Sequence, residues 1–144
     1  MSNDASMQYW LFKTEPNDYS FGDLVRDKKT VWDGVGNNTA LMHMRNVKKG
    51  DSVFVYHTGK DKHIAGIASV VRGPYPDPKL DDEKRIVVDI KAVKGVPNPV
   101  TLAAVKADPD FADFHLVTIS RLSAMPVKPA WWKKLCKMGG VSAT

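Results

Sequence analysis

The residues best suited to chemistry are an aromatic side chain and the polar turn after it, in Thr30-Val31-Trp32-Asp33-Gly34-Val35. Trp32 ends a predicted short strand and runs directly into a turn that contains glycine. A ring held there can offer its flat face to a ligand, while the turn supplies hydrogen-bonding groups. Proteins hold an unstacked base in this way, so the segment predicts a base-binding pocket at Trp32, supported by Asp33 and Gly34.

Three further side chains are candidates for contact with a base. Tyr75 lies in a proline-rich segment and can form a second wall opposite Trp32, although a role in anchoring the loop fits it equally well. Thr14 and Glu15 stand on a turn fixed by Pro16. A carboxylate only accepts hydrogen bonds, which suits the exocyclic amino group of cytosine or adenine. Helix capping or pairing with a lysine is the alternative role for Glu15.

Asn37 and His57 complete the predicted base-binding set. Asn37 and the backbone amides after Gly34 precede a predicted helix, where exposed donors favour an anion or a carbonyl group. His57 ends an apolar strand and can bond a base edge, although a structural role is the alternative.

Three side chains are predicted to support the pocket or to contact phosphate. Lys13 can pair with Glu15 or with a phosphate group. Arg121 and Ser123 are predicted to brace the pocket wall, and Arg121 can also reach a phosphate group.

Short strands and short helices must position these residues. Strands are predicted at 8–13, 30–33, 52–57, 64–72, 85–93 and 116–119. Helices are predicted after Ser20, from Ala40 to Val47, after Thr101 and from Pro129. Segment 73–82 is predicted to be a surface loop, and segment 95–99 a turn. Because strands and helices do not alternate strictly, the pattern predicts an α+β domain or a small barrel with helices around it.

Length and composition restrict the possible classes of protein. The chain has 144 residues, enough for one domain with its own core, predicted at 8–144 after a disordered tail at 1–7. No apolar run approaches the roughly 20 residues that a membrane span needs. The single cysteine, Cys136, allows no intramolecular disulfide bond, and the four histidines share no metal-ligand spacing. We therefore expect no metal, no cofactor and no membrane partner.

The charge of the chain favours an anionic partner. Its formal net charge is +5, and its sequence pI is about 9.3. Lysine and arginine side chains release condensed counterions when they approach phosphates, so nucleic acid is the expected partner. The basic residues are scattered in pairs, which is also typical of a solvated surface.

Six segments, in order and in spacing, resemble the EVE domain, and the resemblance runs from about Gln8 to Val141. They are Tyr9 to Pro16, Trp32 to Val35, Tyr56 to Thr58, Ile64 to Gly66, Tyr75 to Asp77 and Arg121 to Ser123. EVE domains belong to the PUA-like superfamily and are related to YTH domains, which hold a methylated adenine in an aromatic cage. The resemblance implies a PUA-like twisted β-barrel of mostly antiparallel strands surrounded by short helices. It also implies non-enzymatic binding of a modified nucleobase, with modified cytosine in DNA favoured.

The chain departs from the EVE pattern beside Trp32. EVE domains usually carry arginine after the valine of this motif, with tyrosine and arginine close behind, whereas this chain has Gly36, Asn38 and Leu41. The departure predicts one cation fewer at the mouth of the pocket.

Two other functions remain open from the sequence. One is a PUA-like RNA-binding module that acts on tRNA or rRNA, because the same cage accepts DNA or RNA. The other is an enzyme that processes nucleotides, although no nucleophile elbow, phosphate loop, metal-ligand set or carboxylate pair is present. The resemblance to stand-alone bacterial members predicts the bacterial cytoplasm or nucleoid, with the nucleus as the alternative. The sequence leaves the oligomeric state open.

Overall fold

The computed structural model describes residues 7–142, which form one six-stranded sheet with helices packed around it. The strands are β1 (Tyr9–Thr14), β2 (Lys29–Trp32), β3 (Ser52–His57), β4 (His63–Pro76), β5 (Ile86–Thr101) and β6 (Ala124–Val127). The helices are α1 (Phe21–Asp27), α2 (Asn38–Arg45), α3 (Leu102–Ala107), α4 (His115–Thr118) and α5 (Pro129–Met138), with a 3₁₀ turn at Pro109–Phe111. Residues 1–6 of the predicted tail lie outside the described residues, as do residues 143 and 144.

The sheet has the order β2-β5-β4-β3-β1-β6, and the predicted α+β class is confirmed. β1 runs parallel to β3, and the other neighbouring strands are antiparallel. Although β1 and β2 stand far apart in this order, the Phe12 and Trp32 rings on them lie 5.9 Å apart. The sheet therefore curls round on itself. It does not close, because within residues 7–142 its edge strands β2 and β6 are not paired with each other. We call the gap between β2 and the β1–β6 side the seam.

A buried carboxylate joins the starts of β1 and β3. Asp51 is 1% exposed and accepts hydrogen bonds from the Trp10 indole at 2.9 Å, the Gln8 amide at 3.0 Å and the Lys48 amide at 2.8 Å. A buried charge is tolerated when hydrogen bonds replace its water. Trp10 is thus committed to the core.

Helix α1 is fixed to the sheet at its first residue. Ser20 and Asp23 form a capping box at its start. The Phe21 ring fills the space above Gly66, where an added Cβ atom would lie 2.3 Å from the ring. Gly66 is paired with Gly95 in β5, so two small residues leave room for one large ring. This packing gives the glycine of Ile64-Ala65-Gly66 a structural reason.

Three predictions about secondary structure differ from the structure, and one strand was not predicted. The predicted turn at 95–99 lies inside β5, because residues 96–99 form a bulge between the pairs Ile64–Val100 and Gly66–Gly95. A bulge needs no ladder hydrogen bond from the prolines. Similarly, the first part of the predicted loop, 73–76, continues β4 through an irregular register.

The other two differences concern the region before α5. The predicted strand at 116–119 is largely helix α4, whose Leu116 packs in the core. The sequence analysis also missed β6, a short edge strand interrupted by Pro126. An edge strand can carry proline because one of its sides needs no partner.

Candidate functional site

A cavity of about 470 Å³ opens at the seam, where the two sides of the sheet approach without pairing. One side is the end of β1 with its neighbours, and the other is β2 with the turn after it. The lining residues are Lys13, Thr14, Tyr19, Thr30, Val31, Trp32, Asp33, Gly34, Val35, Gly36, Lys79 and Ser123. Pockets for small ligands have volumes of about 300 to 1,000 Å³, so the cavity has the size of a ligand site.

Trp32 lies between this cavity and the core. Its side chain is 7% exposed and ends β2. Phe12 meets it at an interplanar angle of 34°, and Tyr19 meets it nearly edge-on at 81° with centroids 6.4 Å apart. Neither described aromatic partner lies flat on the indole. Trp32 thus borders the cavity without a parallel aromatic neighbour among the described residues.

The β1 side of the cavity is held by hydrogen bonds to loop carbonyls. The Thr14 hydroxyl donates to the Tyr19 carbonyl at 2.6 Å, and this bond closes the turn between β1 and α1. The Lys13 ammonium donates to the Ser120 carbonyl at 2.9 Å, and the Lys13 amide donates to the Ser123 carbonyl at 2.9 Å. Burial lowers the pKa of Lys13. Lys13, Thr14 and Ser123, each predicted separately from the sequence, thus line one side of the cavity and are joined to it by hydrogen bonds.

Charged groups reach the cavity from the turn after β2 and from the loop after β4. Asp33 is exposed, and it is the one carboxylate among the residues that line the cavity. Lys79 lines the same cavity from the segment between β4 and β5. That segment is fixed by Asp77, which is 6% exposed and whose carboxylate accepts from the Lys79 amide at 2.9 Å. Asp77, in the Tyr75-Pro76-Asp77 motif, therefore positions a cation of the site.

A third cation, besides Lys13 and Lys79, lies beside the cavity, and the sequence pattern did not predict it. A Cβ atom added to Gly36 would lie 3.2 Å from Nη1 of Arg85, so the guanidinium lies against the glycine. The Asp77 amide donates to the Arg85 carbonyl at 2.8 Å, which fixes the backbone of Arg85. Arg85, the residue just before β5, thus offsets the predicted loss of a cation at position 36.

Five of the residues predicted from the sequence are not among those that line this cavity: Glu15, Asn37, His57, Tyr75 and Arg121. The Glu15 carboxylate accepts from the Asn17 amide at 3.0 Å. Asn37 caps α2 by accepting from the Ala40 amide at 3.0 Å. Arg121 is exposed. The structure thus gives Asn37 a helix-capping role and Glu15 a hydrogen bond within the turn after β1.

Tyr75 and His57 are also engaged elsewhere. Tyr75 lies in β4, where its hydroxyl donates to Asp89 at 2.5 Å and the Arg72 guanidinium lies 4.1 Å from its ring centroid. The His57 Nε2 atom accepts from the Phe21 amide at 2.9 Å. Burial lowers the pKa of His57, and the charge of His63 lowers it further, against a weaker opposite effect of Glu15. The neutral imidazole of His57 thus accepts the hydrogen bond that fixes the start of α1.

Several lining residues escaped the sequence analysis. Tyr19 and Lys79 stand in connecting segments, where periodicity carries no signal about direction. Val31 precedes Trp32 in β2, and strand alternation predicts that it faces the opposite way, so no signal in the sequence indicated that both residues line one cavity. The Val31 side chain is 43% exposed.

The described residues also bear on metals and membranes. Across residues 7–142, no group of three or more histidine, cysteine or acidic side chains is placed to hold a metal ion. Within the same range, no helix combines the length and apolarity that crossing a membrane requires.

The fold and the seam cavity agree with the sequence pattern of one family. The chain belongs to the EVE domain family, which it matches over residues 8–138. It is 31% identical to thymocyte nuclear protein 1 of Homo sapiens over 125 residues, covering 69% of this chain and 56% of that protein. Against the Danio rerio protein of the same name, identity is 31% over 159 residues, covering 85% and 68%. The chain thus spans about half to two thirds of these curated relatives.

Solved structures resemble the chain over nearly its whole length. Rpa0253 from Rhodopseudomonas palustris is 46% identical with a TM-score of 0.88, covering 93% of this chain and 94% of that one. Human THYN1 protein in complex with 5-methylcytosine containing DNA is 27% identical with a TM-score of 0.83, covering 92% and 97%. The YTH domain of Zygosaccharomyces rouxii MRB1 shares the fold, with a TM-score of 0.56 at 14% identity over 96% of this chain and 90% of that one.

Proposed function

We propose that this protein is a non-enzymatic binding module that encloses a modified nucleobase, with modified cytosine in DNA as the favoured ligand. The observation that carries the proposal is the seam cavity beside Trp32, where neither neighbouring aromatic ring lies flat on the indole. The human THYN1 protein, 27% identical, has been solved with 5-methylcytosine containing DNA, which supports the choice of ligand.

Each wall of the cavity would contribute a different interaction. Stacking of a base on the Trp32 indole would stabilise the complex by about 1 to 3 kcal/mol. Stacking accepts any base, so selectivity needs contacts to the base edge. The Asp33 carboxylate can accept from the exocyclic amino group of cytosine, the part that the sequence analysis gave to Glu15. Lys79 lines the cavity and Arg85 lies against Gly36 beside it, so these two cations would attract the phosphates of an extracted nucleotide.

The composition of the cavity supports binding without catalysis. Among the described residues that line it, there is one carboxylate and neither histidine nor cysteine. General acid–base catalysis usually needs a titrating pair or a histidine, and covalent catalysis needs an activated nucleophile. Ser123 lines the cavity, and its backbone carbonyl accepts from the Lys13 amide.

A binding titration with short oligonucleotides tests the proposal. The set carries cytosine, 5-methylcytosine, 5-hydroxymethylcytosine, adenine or N6-methyladenine at one position, in both DNA and RNA. We expect the tightest binding to a modified cytosine in DNA. Equal affinity for all members would overturn the modified-base proposal, and preference for unmodified RNA would favour a PUA-like RNA-binding module acting on tRNA or rRNA.

Trp32→Leu tests the role of the indole. Leucine keeps apolar contact with Phe12 but offers no plane for stacking, so selective binding should fall by about tenfold or more while the protein stays folded. Trp131→Leu is the matched control, because Trp131 packs on Phe114 at 4.9 Å and lies outside the cavity lining. Equal losses of selectivity in both variants would contradict a specific role for Trp32. Circular dichroism checks the fold of each variant.

A further inference from the structure

A second cleft of about 540 Å³ lies at the same end of the sheet as the seam cavity. It is lined by Lys60, Asp61, Lys62, His63, Pro99, Thr101, Leu102, Ala103 and Lys106. Three of these residues are lysines against one carboxylate, and the remaining surface includes proline, leucine and alanine side chains. A cleft that combines apolar surface with an excess of cations has the chemistry that a sugar-phosphate unit requires.

The register of the sheet relates this cleft to the seam cavity. Thr14, His57, His63 and Thr101 are successive Cα partners across β1, β3, β4 and β5. Thr14 lines the cavity, whereas His63 and Thr101 line the cleft. Neighbouring strands are about 4.8 Å apart, so Thr14 is about 10 Å from His63, at the near side of the cleft, and about 14 Å from Thr101, at its far side. A stacked strand rises about 3.4 Å per nucleotide, so about four nucleotides bridge the longer distance.

Hydrogen bonds hold the cleft in shape. The Leu102 amide donates to the Lys62 carbonyl at 3.0 Å, which ties the start of α3 to the turn before β4. The Lys62 ammonium donates to the Gly59 carbonyl at 2.8 Å, so one of its hydrogen bonds stabilises the turn before β4. Lys60 and Lys106 are exposed, and neither takes part in an ion pair between described residues. These two ammonium groups remain available to phosphates.

We infer that the second cleft binds the sugar-phosphate backbone of the same nucleic acid strand, about four nucleotides to one side of the base in the seam cavity. This inference rests on the proposed function. The cleft lies on one side of the seam cavity. Lengthening the nucleic acid strand on the matching side of the modified base should therefore raise affinity, and lengthening it on the other side should not. The direction of the strand follows from which side responds.

The test uses single-stranded DNA oligonucleotides with one 5-methylcytosine, extended by one to eight nucleotides on the 5′ or the 3′ side. Fluorescence anisotropy gives the affinity at several salt concentrations. For the unaltered protein, affinity should rise with extension on one side and level off after about four to five nucleotides. In Lys60→Ala/Lys106→Ala this rise should disappear. Binding of the long strand should weaken about tenfold at low salt, and the plot of log affinity against log salt should flatten by about 1.4.

Lys133→Ala/Lys137→Ala is the matched control, because it also removes two exposed lysines, and neither lines the cavity or the cleft. This control should keep the one-sided rise. If Lys60→Ala/Lys106→Ala also keeps it while 5-methylcytosine is still preferred, the second cleft is not a backbone site and the seam cavity stands. If the unaltered protein binds no modified base more tightly than unmodified cytosine or adenine, the proposed function fails before any variant is compared.

Discussion

Trp32 and Trp132 are nearly equally buried, at 7% and 5% exposed, yet their surroundings differ. Trp132 in α5 stacks on Phe54 at 3.8 Å and on Tyr9 at 4.7 Å, with interplanar angles of 21° and 25°. Trp32 meets its aromatic neighbours at a tilt or edge-on and borders a cavity. Fractional burial therefore does not distinguish a tryptophan that stacks on neighbouring rings from one that borders a cavity, whereas the orientation of those rings does.

The largest expected effect on this comparison comes from Trp132→Ala. Removing a large ring from a stacked core leaves a void, so we expect the free energy of unfolding to fall by about 3 to 5 kcal/mol. Base selectivity should not change, because neither Trp132 nor its stacking partners Tyr9 and Phe54 line the seam cavity. Urea denaturation measures the first quantity and oligonucleotide titration of the folded protein the second. An altered preference among the bases would contradict the inference that Trp132 acts in the core and not in base recognition.

Gly66→Ala should have a smaller effect that reaches both regions. The added methyl group overlaps the Phe21 ring, so we expect a loss of about 1 to 3 kcal/mol in the free energy of unfolding. Tyr19 precedes Phe21 and lines the cavity, so binding should weaken as well. Gly95→Ala is the control, because its methyl group would lie 3.9 Å from the same ring, an ordinary contact. Equal destabilisation by both substitutions would show that the Phe21 contact is not the cause.

The smallest expected effect is on pH dependence. Because the pKa of His57 is lowered in the folded protein from 6.5, protonation favours the unfolded chain. The stabilisation is complete above about pH 6.5 and is lost as the pH falls below it. His57→Gln keeps an acceptor for the Phe21 amide without titrating, so its stability should fall less between pH 7.5 and about 5.5. Thermal unfolding across this range compares the two. The pKa of His43 is also lowered by burial, so some dependence should remain, and identical curves would exclude a contribution from His57.

The elements with clear periodicity or clear capping signals could be predicted from the sequence. β1 and β3, α1 with its capping box, and α5 after Pro129 lie where the pattern placed them. The prolines in 95–99 predicted a turn, but the segment lies in a bulge of β5. A bulge tolerates proline, and its position depends on pairing with β4, which local propensity does not show. The strand predicted at 116–119 failed for the converse reason, since four apolar or β-branched residues are too few to separate a strand from one helical turn.

The candidate site could be predicted only in part, for a physical reason. Lys13, Thr14 and the Trp32 turn carry local sequence signals and do line one cavity. Lys79 and Arg85 reach it from a segment whose position depends on the buried Asp77 carboxylate. Such contributions arise from the curling of the sheet, which brings distant segments together. No pattern of neighbouring residues encodes that meeting.

The contact between Gly36 and Arg85 changes how charge should be compared among relatives of this chain. Judged column by column in a sequence alignment, the turn beside Trp32 would be scored as having lost its positive residue. In three dimensions, a guanidinium from another segment fills the vacated space. Relatives that have a larger residue in place of Gly36 are expected to have a different residue in place of Arg85 as well. The two positions should therefore vary together.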